Sequence, residues 1–189
     1  MDLIPAKQQV RRELKRTAER FSQRYVEAAS RAVCRSVLQS REFLQAETIF
    51  GYLAFQNEIS VDELLQEALR LGKTVAVPRI VSKTEMQAAT VNALQELPLD
   101  CYGIRTAPLQ ATVIPPDAFD LILVPGAGFS VTGCRMGRGA GYYDRFLAQT
   151  KGFRLGITCE KLIKEDIPMA AHDCRVQALV TETRFIRCM

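Results

Sequence analysis

The chain has 189 residues, 48% of them hydrophobic, with six cysteines, one histidine and a formal charge of +4. That length and apolar content suit a single domain over 1–189 whose core stands without staples. The scattered cysteines, with no C-x-x-C pair and only His172 beside them, exclude a zinc set and predict reduced thiols. The first twelve residues carry no apolar leader core, and the uncharged stretch Leu121 to Cys134 is too short and too broken by Gly and Pro to span a bilayer, so a soluble cytoplasmic protein with no membrane partner is expected.

From Pro5 to about Leu44 the apolar positions Val10, Leu14, Phe21 and Tyr25 recur at helical spacing, and Ser22 suits the cap of a second helix. Charge is concentrated here: residues 1–35 hold nine Lys/Arg against Asp2, Glu13, Glu19 and Glu27. Lys7, Arg11 and Lys15 recur every four residues and share one helix face. Such a face serves a polyphosphate, an acidic partner or nucleic acid, or is simply solvated. No aromatic residues are interleaved with these three cations, which argues against a single-strand nucleic-acid platform.

Short apolar runs and helical stretches then alternate. Thr48 to Ala54 reads as a strand, Val61 to Leu71 as a helix, and Thr74 to Val77 as a strand stopped by Pro78. The interval from Ser82 to Pro116 is less regular and predicts short strands with an edge or flap role. Beyond it come a buried strand at Leu121 to Val124, a helix at Tyr142 to Gln149, and strands at Phe153 to Thr158 and Ala178 to Thr181. The alternation places the chain in the α/β class.

Chemistry is concentrated between the strand ending at Val124 and the helix opening at Tyr142. Glycines at 137, 139 and 141 remove every second side chain, so main-chain N–H groups are open to phosphate oxygens, with the helix adding its positive end. Arg135 and Arg138 supply planar forks that suit phosphoryl oxygens. Gly128 and Gly133 have the spacing of a P-loop, but Cys134-Arg135 stands where Lys-Ser/Thr belongs. Gly137-x-Gly139-x-Gly141 also lacks the spacing of a dinucleotide fingerprint. Neither a Walker site nor an NAD site is expected.

The run Gly133-x-Arg135-Met136-Gly137-x-Gly139-x-Gly141-Tyr142-Tyr143-Asp144-Arg145 resembles the G-x-R-[LM]-G-x-G-x-G-Y-Y-D-R signature of the 5-formyltetrahydrofolate cyclo-ligase family, also called 5,10-methenyltetrahydrofolate synthetase. The likeness extends over nearly the whole chain: Lys7-x-x-x-Arg11, Glu58, Gly72-Lys73, Pro78-Arg79, Gly103-Ile104, Pro168 with His172-Asp173, and Thr181-Glu182. It implies a three-layer α/β/α domain of the NagB/RpiA/CoA-transferase-like kind with a mostly parallel sheet, the helical segment 1–44 packing on it. It also implies ATP-dependent conversion of 5-formyltetrahydrofolate, polyglutamylated or not, to 5,10-methenyltetrahydrofolate with magnesium, in a monomer or weak homodimer. By the same resemblance, Lys7, Arg11, Arg135, Gly137, Arg138, Gly139, Gly141, Tyr142 and Tyr143 contact ATP. Leu53, Glu58, Arg138 and Tyr142 contact the folate, Arg135, Arg138 and Tyr142 serve catalysis, and Asp144 and Asp173 hold the cation.

Three departures stand out. Gly103-Ile104-Arg105-Thr106-Ala107-Pro108 replaces the usual Gly-Ile-x-Glu-Pro, Gln177 stands where an acid is common, and Cys134 is not the usual loop residue. They keep open a second reading, a folate or nucleotide binder of the same fold that lacks turnover.

Overall fold

The computed structural model describes residues 3–95, 97–100 and 103–188, so Asp2 and Cys101, counted above, lie outside it. Helix α1 (Leu3–Ala18) is separate from α2 (Gln23–Leu38). Between them Ser22 is extended, and its side chain accepts from the Tyr25 N–H, the cap its position predicts. A short α3 (Arg41–Gln45) capped by Ser40 completes the helical segment.

The remaining elements follow in chain order: β1 (Thr48–Phe50), α4 (Asp62–Arg70), β2 (Thr74–Ile80), β3 (Met86–Thr90), β4 (Val113–Ile114) and β5 (Leu121–Pro125). After these come β6 (Gly128–Ser130), β7 (Arg135–Met136), α5 (Tyr142–Leu147), β8 (Phe153–Ile157), β9 (Ile163–Lys164), β10 (Ala178–Val180) and β11 (Phe185–Arg187). The main sheet has the order β11-β10-β8-β5-β1-β2-β3-β4, and a small sheet has the order β7-β6-β9. Strands β10, β8, β5, β1 and β2 run parallel; β11 pairs antiparallel with β10 at one edge, and at the other β3 pairs antiparallel with β2 and β4 with β3.

Side chains alternate across this sheet with the strand period of two. Ile49, Val75, Leu121 and Leu123 face Val33 and Val37 of α2 and Leu64 and Leu65 of α4. Phe50, Ala76, Ile122, Val124 and Leu179 face the other layer, where Phe129 and, from α5, Phe146 and Leu147 pack. Burial on both faces explains why β5 reads as a continuous apolar run. Among the described residues no helix is long and apolar enough to cross a membrane.

Three elements end two or more residues away from expectation, and one strand was not expected. The strand read as Thr48 to Ala54 ends at Phe50, because Tyr52 donates its hydroxyl to the Ile59 carbonyl at 2.6 Å and folds the next segment into a loop. Apolar residues in that loop are buried without a pairing partner and so imitate a strand. Conversely, β2 runs through Pro78 to Ile80. Ala76 accepts from the Gly51 N–H on the β1 side, and Pro78, two residues on, turns its main chain to that same side after β1 has ended. The missing N–H therefore removes no ladder bond. Helix α5 stops at Leu147, two residues short of Gln149. Strand β11 was unsignalled, since its turn uses no Gly, Pro or Asn; the Thr181 hydroxyl makes the turn instead, accepting from the N–H groups of Thr183 and Arg184, each at 3.2 Å.

Gly156 shows how tightly the second layer is packed. A Cβ there would lie 2.5 Å from Leu179 Cδ2 and 2.8 Å from the Phe129 ring. Gly156→Ala is expected to cost about 1–3 kcal/mol through overpacking, seen as a lower urea midpoint with an unchanged slope.

Candidate active site

Strand β1 continues through α4 on one face to β2, whereas the neighbouring β5 continues through β6, β7 and α5 on the other face to β8. Adjacent strands that send their chains apart leave a crevice at their carboxyl ends, the usual ligand position in such sheets. Two chambers occupy it, of about 370 and 570 Å³. The first is bordered by Arg11, Lys15, Ala127 and Thr158. The second is bordered by Leu53, Arg135, Gly137, Gly141, Tyr142 and Asp144. Tyr52, Phe55, Glu58, Pro125, Gly126 and Arg138 line both and form the wall between them.

The glycine segment is held from three directions. Arg11 on α1 donates Nε to the Gly137 carbonyl at 2.9 Å, so the amino-terminal helix is tied to the loop. Arg135, on β7 and only 4% exposed at its side chain, pairs through Nη2 with Asp144 Oδ1 at 2.7 Å, and its guanidinium lies 5.7 Å from the Tyr143 ring. Arg138 grips the opposite wall, with Nε 3.0 Å and Nη2 2.9 Å from Glu58 Oε1, over the Phe55 ring. Gly139 and Gly141 have φ of 111° and 71°, conformations that favour glycine.

Glu58 is a wall residue and caps no helix: its Oε2 accepts from the Phe55 N–H at 3.0 Å, while the cap of α4 is Val61 without a side-chain bond. Burial pushes the Glu58 carboxyl up from its ordinary value, and the Arg138 guanidinium opposes that shift. Burial likewise keeps the Tyr143 hydroxyl protonated, with the Glu58 charge adding to the effect. Among the described residues, that hydroxyl and Arg135 Nε are buried without a protein partner. Orphaned polar groups at a chamber wall suit ligand oxygens.

Not all expected residues converge. Lys7 pairs with Asp173, and neither borders either chamber. Burial raises the Asp173 carboxyl, but hydrogen bonds from Lys7 and the Ala170 N–H outweigh it and the net shift is downward. His172 lies 3.6 Å from the other Asp173 oxygen and is 80% exposed. Leu53 is both a core residue and part of the second chamber. The expected helix positive end is weak, because α5 has only six residues.

Of the departures, Arg105 forks onto Asp62 at 2.8 and 3.0 Å, and the Thr106 hydroxyl donates to the Pro78 carbonyl at 3.1 Å. Both residues border the second chamber. Gln177, exposed, accepts from the Arg154 N–H at 2.8 Å and Cys134 is buried; neither borders either chamber. Sequence reasoning gave Arg145 no role and the β2–β3 turn only the general edge or flap role expected from Ser82 onward; the two meet beside the loop, where Arg145 Nε donates to the Thr84 carbonyl at 2.7 Å and the Tyr142 hydroxyl to that of Ser82 at 3.0 Å. The Asp144-Arg145 pair that closes the glycine signature was the available signal.

The family model of the 5-formyltetrahydrofolate cyclo-ligase family matches residues 4–182. The chain belongs to this family. A probable 5-formyltetrahydrofolate cyclo-ligase of Caenorhabditis elegans is 27% identical over 190 residues, covering 93% of this chain and 92% of the relative. The 5-formyltetrahydrofolate cyclo-ligase of Mus musculus is 25% identical, covering 94% of each. Among solved structures, the 5,10-methenyltetrahydrofolate synthetase of Aquifex aeolicus superposes with a TM-score of 0.86 at 27% identity, over 96% of this chain and 92% of that one. The synthetase of Mycoplasma pneumoniae, at 19% identity and a TM-score of 0.76, shares the fold. With relatives of this kind over nearly its whole length, this cyclo-ligase family member is an enzyme of the ligase class.

Proposed function

We propose that the protein converts 5-formyltetrahydrofolate and ATP to 5,10-methenyltetrahydrofolate, ADP and phosphate. The observation that carries this reading is the wall shared by the two chambers, where Arg138 and Glu58 border both at once. A phosphoryl donor entering by the first chamber and an acceptor in the more apolar second chamber would meet at the Arg138 guanidinium, beside the edge of the second chamber that carries Arg135, Gly137 and Asp144.

The formyl oxygen of the substrate is a poor leaving group. Transfer of the γ-phosphoryl group to it, with ADP departing, makes it a good one. N10 then attacks the formyl carbon, the five-membered ring closes, and as the C–O bond breaks phosphate leaves with the proton that N10 gives up. Holding both reacting atoms in one ligand supplies an effective molarity on the order of 10⁵ M or more in favourable cases, so no nucleophilic side chain is needed. The protein's part is orientation and charge neutralisation. Arg135 and Arg138 face the phosphoryl oxygens, with Arg11 as a further cation toward the nucleotide; Lys7 joins it on exchanging its Asp173 partner for a phosphate oxygen. Gly137, Gly139 and Gly141 let the main chain approach the phosphates. Tyr143, whose hydroxyl has no protein partner, offers a donor, and Tyr142, its own hydroxyl donated to Ser82, presents its ring, while Leu53 packs on the pterin and Glu58 accepts from its N–H groups.

The donor set also fits nucleotide-bound magnesium, which takes one or two carboxylates beside phosphate and water. Asp144 borders the second chamber and would hold the ion, whose charge would offset that of the phosphates. Asp173 fits less well, since Lys7, the Ala170 N–H and His172 already surround it; we keep Asp144 alone. Soluble, cytoplasmic placement and a polyglutamylated substrate belong to the same proposal.

Mixing protein, ATP, magnesium and 5-formyltetrahydrofolate is expected to raise the absorbance of the methenyl chromophore in step with ADP release. Tight folate binding by calorimetry with no ADP formed over hours would replace the enzyme by a binding protein.

A further inference from the structure

The turn between β2 and β3 is exposed at each of residues 81–85, yet it is internally well tied. The Val81 N–H donates to the Glu85 carbonyl at 3.0 Å, and Ser82 Oγ accepts from the N–H groups of Thr84 and Glu85 at 3.3 and 3.1 Å. It therefore moves as a unit. Ile80, Lys83 and Met86, from the turn and its two stems, border the second chamber, so the position of this unit decides how closed that chamber is.

Among the described residues, two side-chain bonds fasten the turn to the body of the protein, from the Tyr142 hydroxyl to Ser82 O and from Arg145 Nε to Thr84 O. Arg145 does more than fasten. Its Nη2 donates to the Ala140 carbonyl at 2.9 Å, inside the glycine loop, and its guanidinium lies 5.4 Å from the Tyr142 ring. A Cβ at Gly141 would sit 2.6 Å from Arg145 Nη1, so the loop's glycine gives the guanidinium its seat. One planar group thus bridges the loop and the wall of the second chamber, and its fork geometry makes both contacts at once.

We propose that Arg145 is a positioning residue that couples the two ligand sites. Ordering of the glycine loop by nucleotide is passed through Arg145 to the 81–85 turn, which then closes over the second chamber and tightens it around the folate. This rests on the function proposed above for the identity of the ligands, but the latch itself does not. By linkage the coupling is reciprocal, so folate must tighten nucleotide by the same factor.

The test is hydrogen exchange of the 81–86 amides, with and without a non-hydrolysable ATP analogue, together with folate titrations under both conditions. In the unmodified protein the analogue is expected to slow exchange at the turn and to tighten 5-formyltetrahydrofolate about five- to tenfold, the worth of one or two hydrogen bonds. In Arg145→Ala, checked for an unchanged far-ultraviolet spectrum, the turn exchanges faster even without ligand, and the tightening falls to near unity. Arg145→Lys, which can make one contact but not the fork, recovers part of it. Unchanged exchange at the turn in ligand-free Arg145→Ala would overturn the latch whatever the ligands prove to be. Undiminished tightening in Arg145→Ala would overturn the coupling. If the analogue binds to neither protein, the ligand-free comparison still decides the latch, and only the proposed function falls.

Discussion

Asp144→Ala is expected to abolish turnover and to remove about 3 kcal/mol of folding stability, near the lower end of the cost of leaving one member of a buried ion pair alone. The reason lies with its partner. The Arg135 side chain is 4% exposed and that of Asp144 18%, with 2.7 Å between Nη2 and Oδ1, so removing the carboxylate strands a guanidinium that solvent hardly reaches. The Cys174 N–H, 3.4 Å from the same oxygen, also loses its acceptor. For a domain of this size the loss corresponds to a fall of about 6–12 °C in Tm. Asp144→Asn separates the two roles of the residue. The amide oxygen can still accept from Arg135, so most of the stability should return, while the charge proposed to hold magnesium stays absent. Thermal melts and magnesium titrations of turnover distinguish them. An asparagine variant with normal turnover at limiting magnesium would strip Asp144 of the metal role, and an alanine variant melting with the unmodified protein would show the pair to be irrelevant to the fold.

What could be read from the residues follows from how local each signal is. Ser22 predicted its cap because the capping bond spans three residues, and the run Leu121 to Val124 predicted a buried strand because both faces of β5 are covered. Pro78 misled because its effect depends on where β1 ends, a fact of pairing that no local pattern carries. Tyr52 misled because a hydroxyl bond to a carbonyl seven residues on, not the apolar alternation, fixes its segment. The same division runs through the site. Arg135, Arg138 and the glycines were legible because they lie in one short run, and Glu58 through resemblance. Their junction at a common wall was not, since Arg138 and Glu58 meet across 80 positions of chain. Arg145 was overlooked for that reason: its partner carbonyl belongs to Thr84, and main-chain acceptors leave no mark in a sequence.

Arg138→Ala is expected to lower kcat/KM by about 10²- to 10³-fold, the usual effect of removing one aligned donor from a developing negative charge, and to change the pH dependence in a definite direction. Burial already raises the Glu58 carboxyl, and Arg138 is the strongest influence holding it down. Without Arg138 the carboxyl rises further, and the lost pairing is met by a proton instead of an unfolded chain. The two pH consequences have opposite signs. A carboxyl whose folded pKa lies above its unfolded value contributes stability that is present in full below the unfolded pKa and lost as pH rises through the folded one. Relative to the unmodified protein, Arg138→Ala should therefore gain stability on acidification from neutrality. Folate binding needs the ionised carboxylate as acceptor, so it should weaken on the same acidification, beginning at a higher pH in the variant. Arg138→Lys keeps a charge near Glu58 but not the fork, so it should restore the pH profile more completely than the rate. Profiles of kcat/KM for 5-formyltetrahydrofolate in the three proteins check this, with denaturant midpoints at matched pH. If the acid limb in Arg138→Ala coincides with that of the unmodified protein, the carboxylate at the shared wall is not the group that grips the folate.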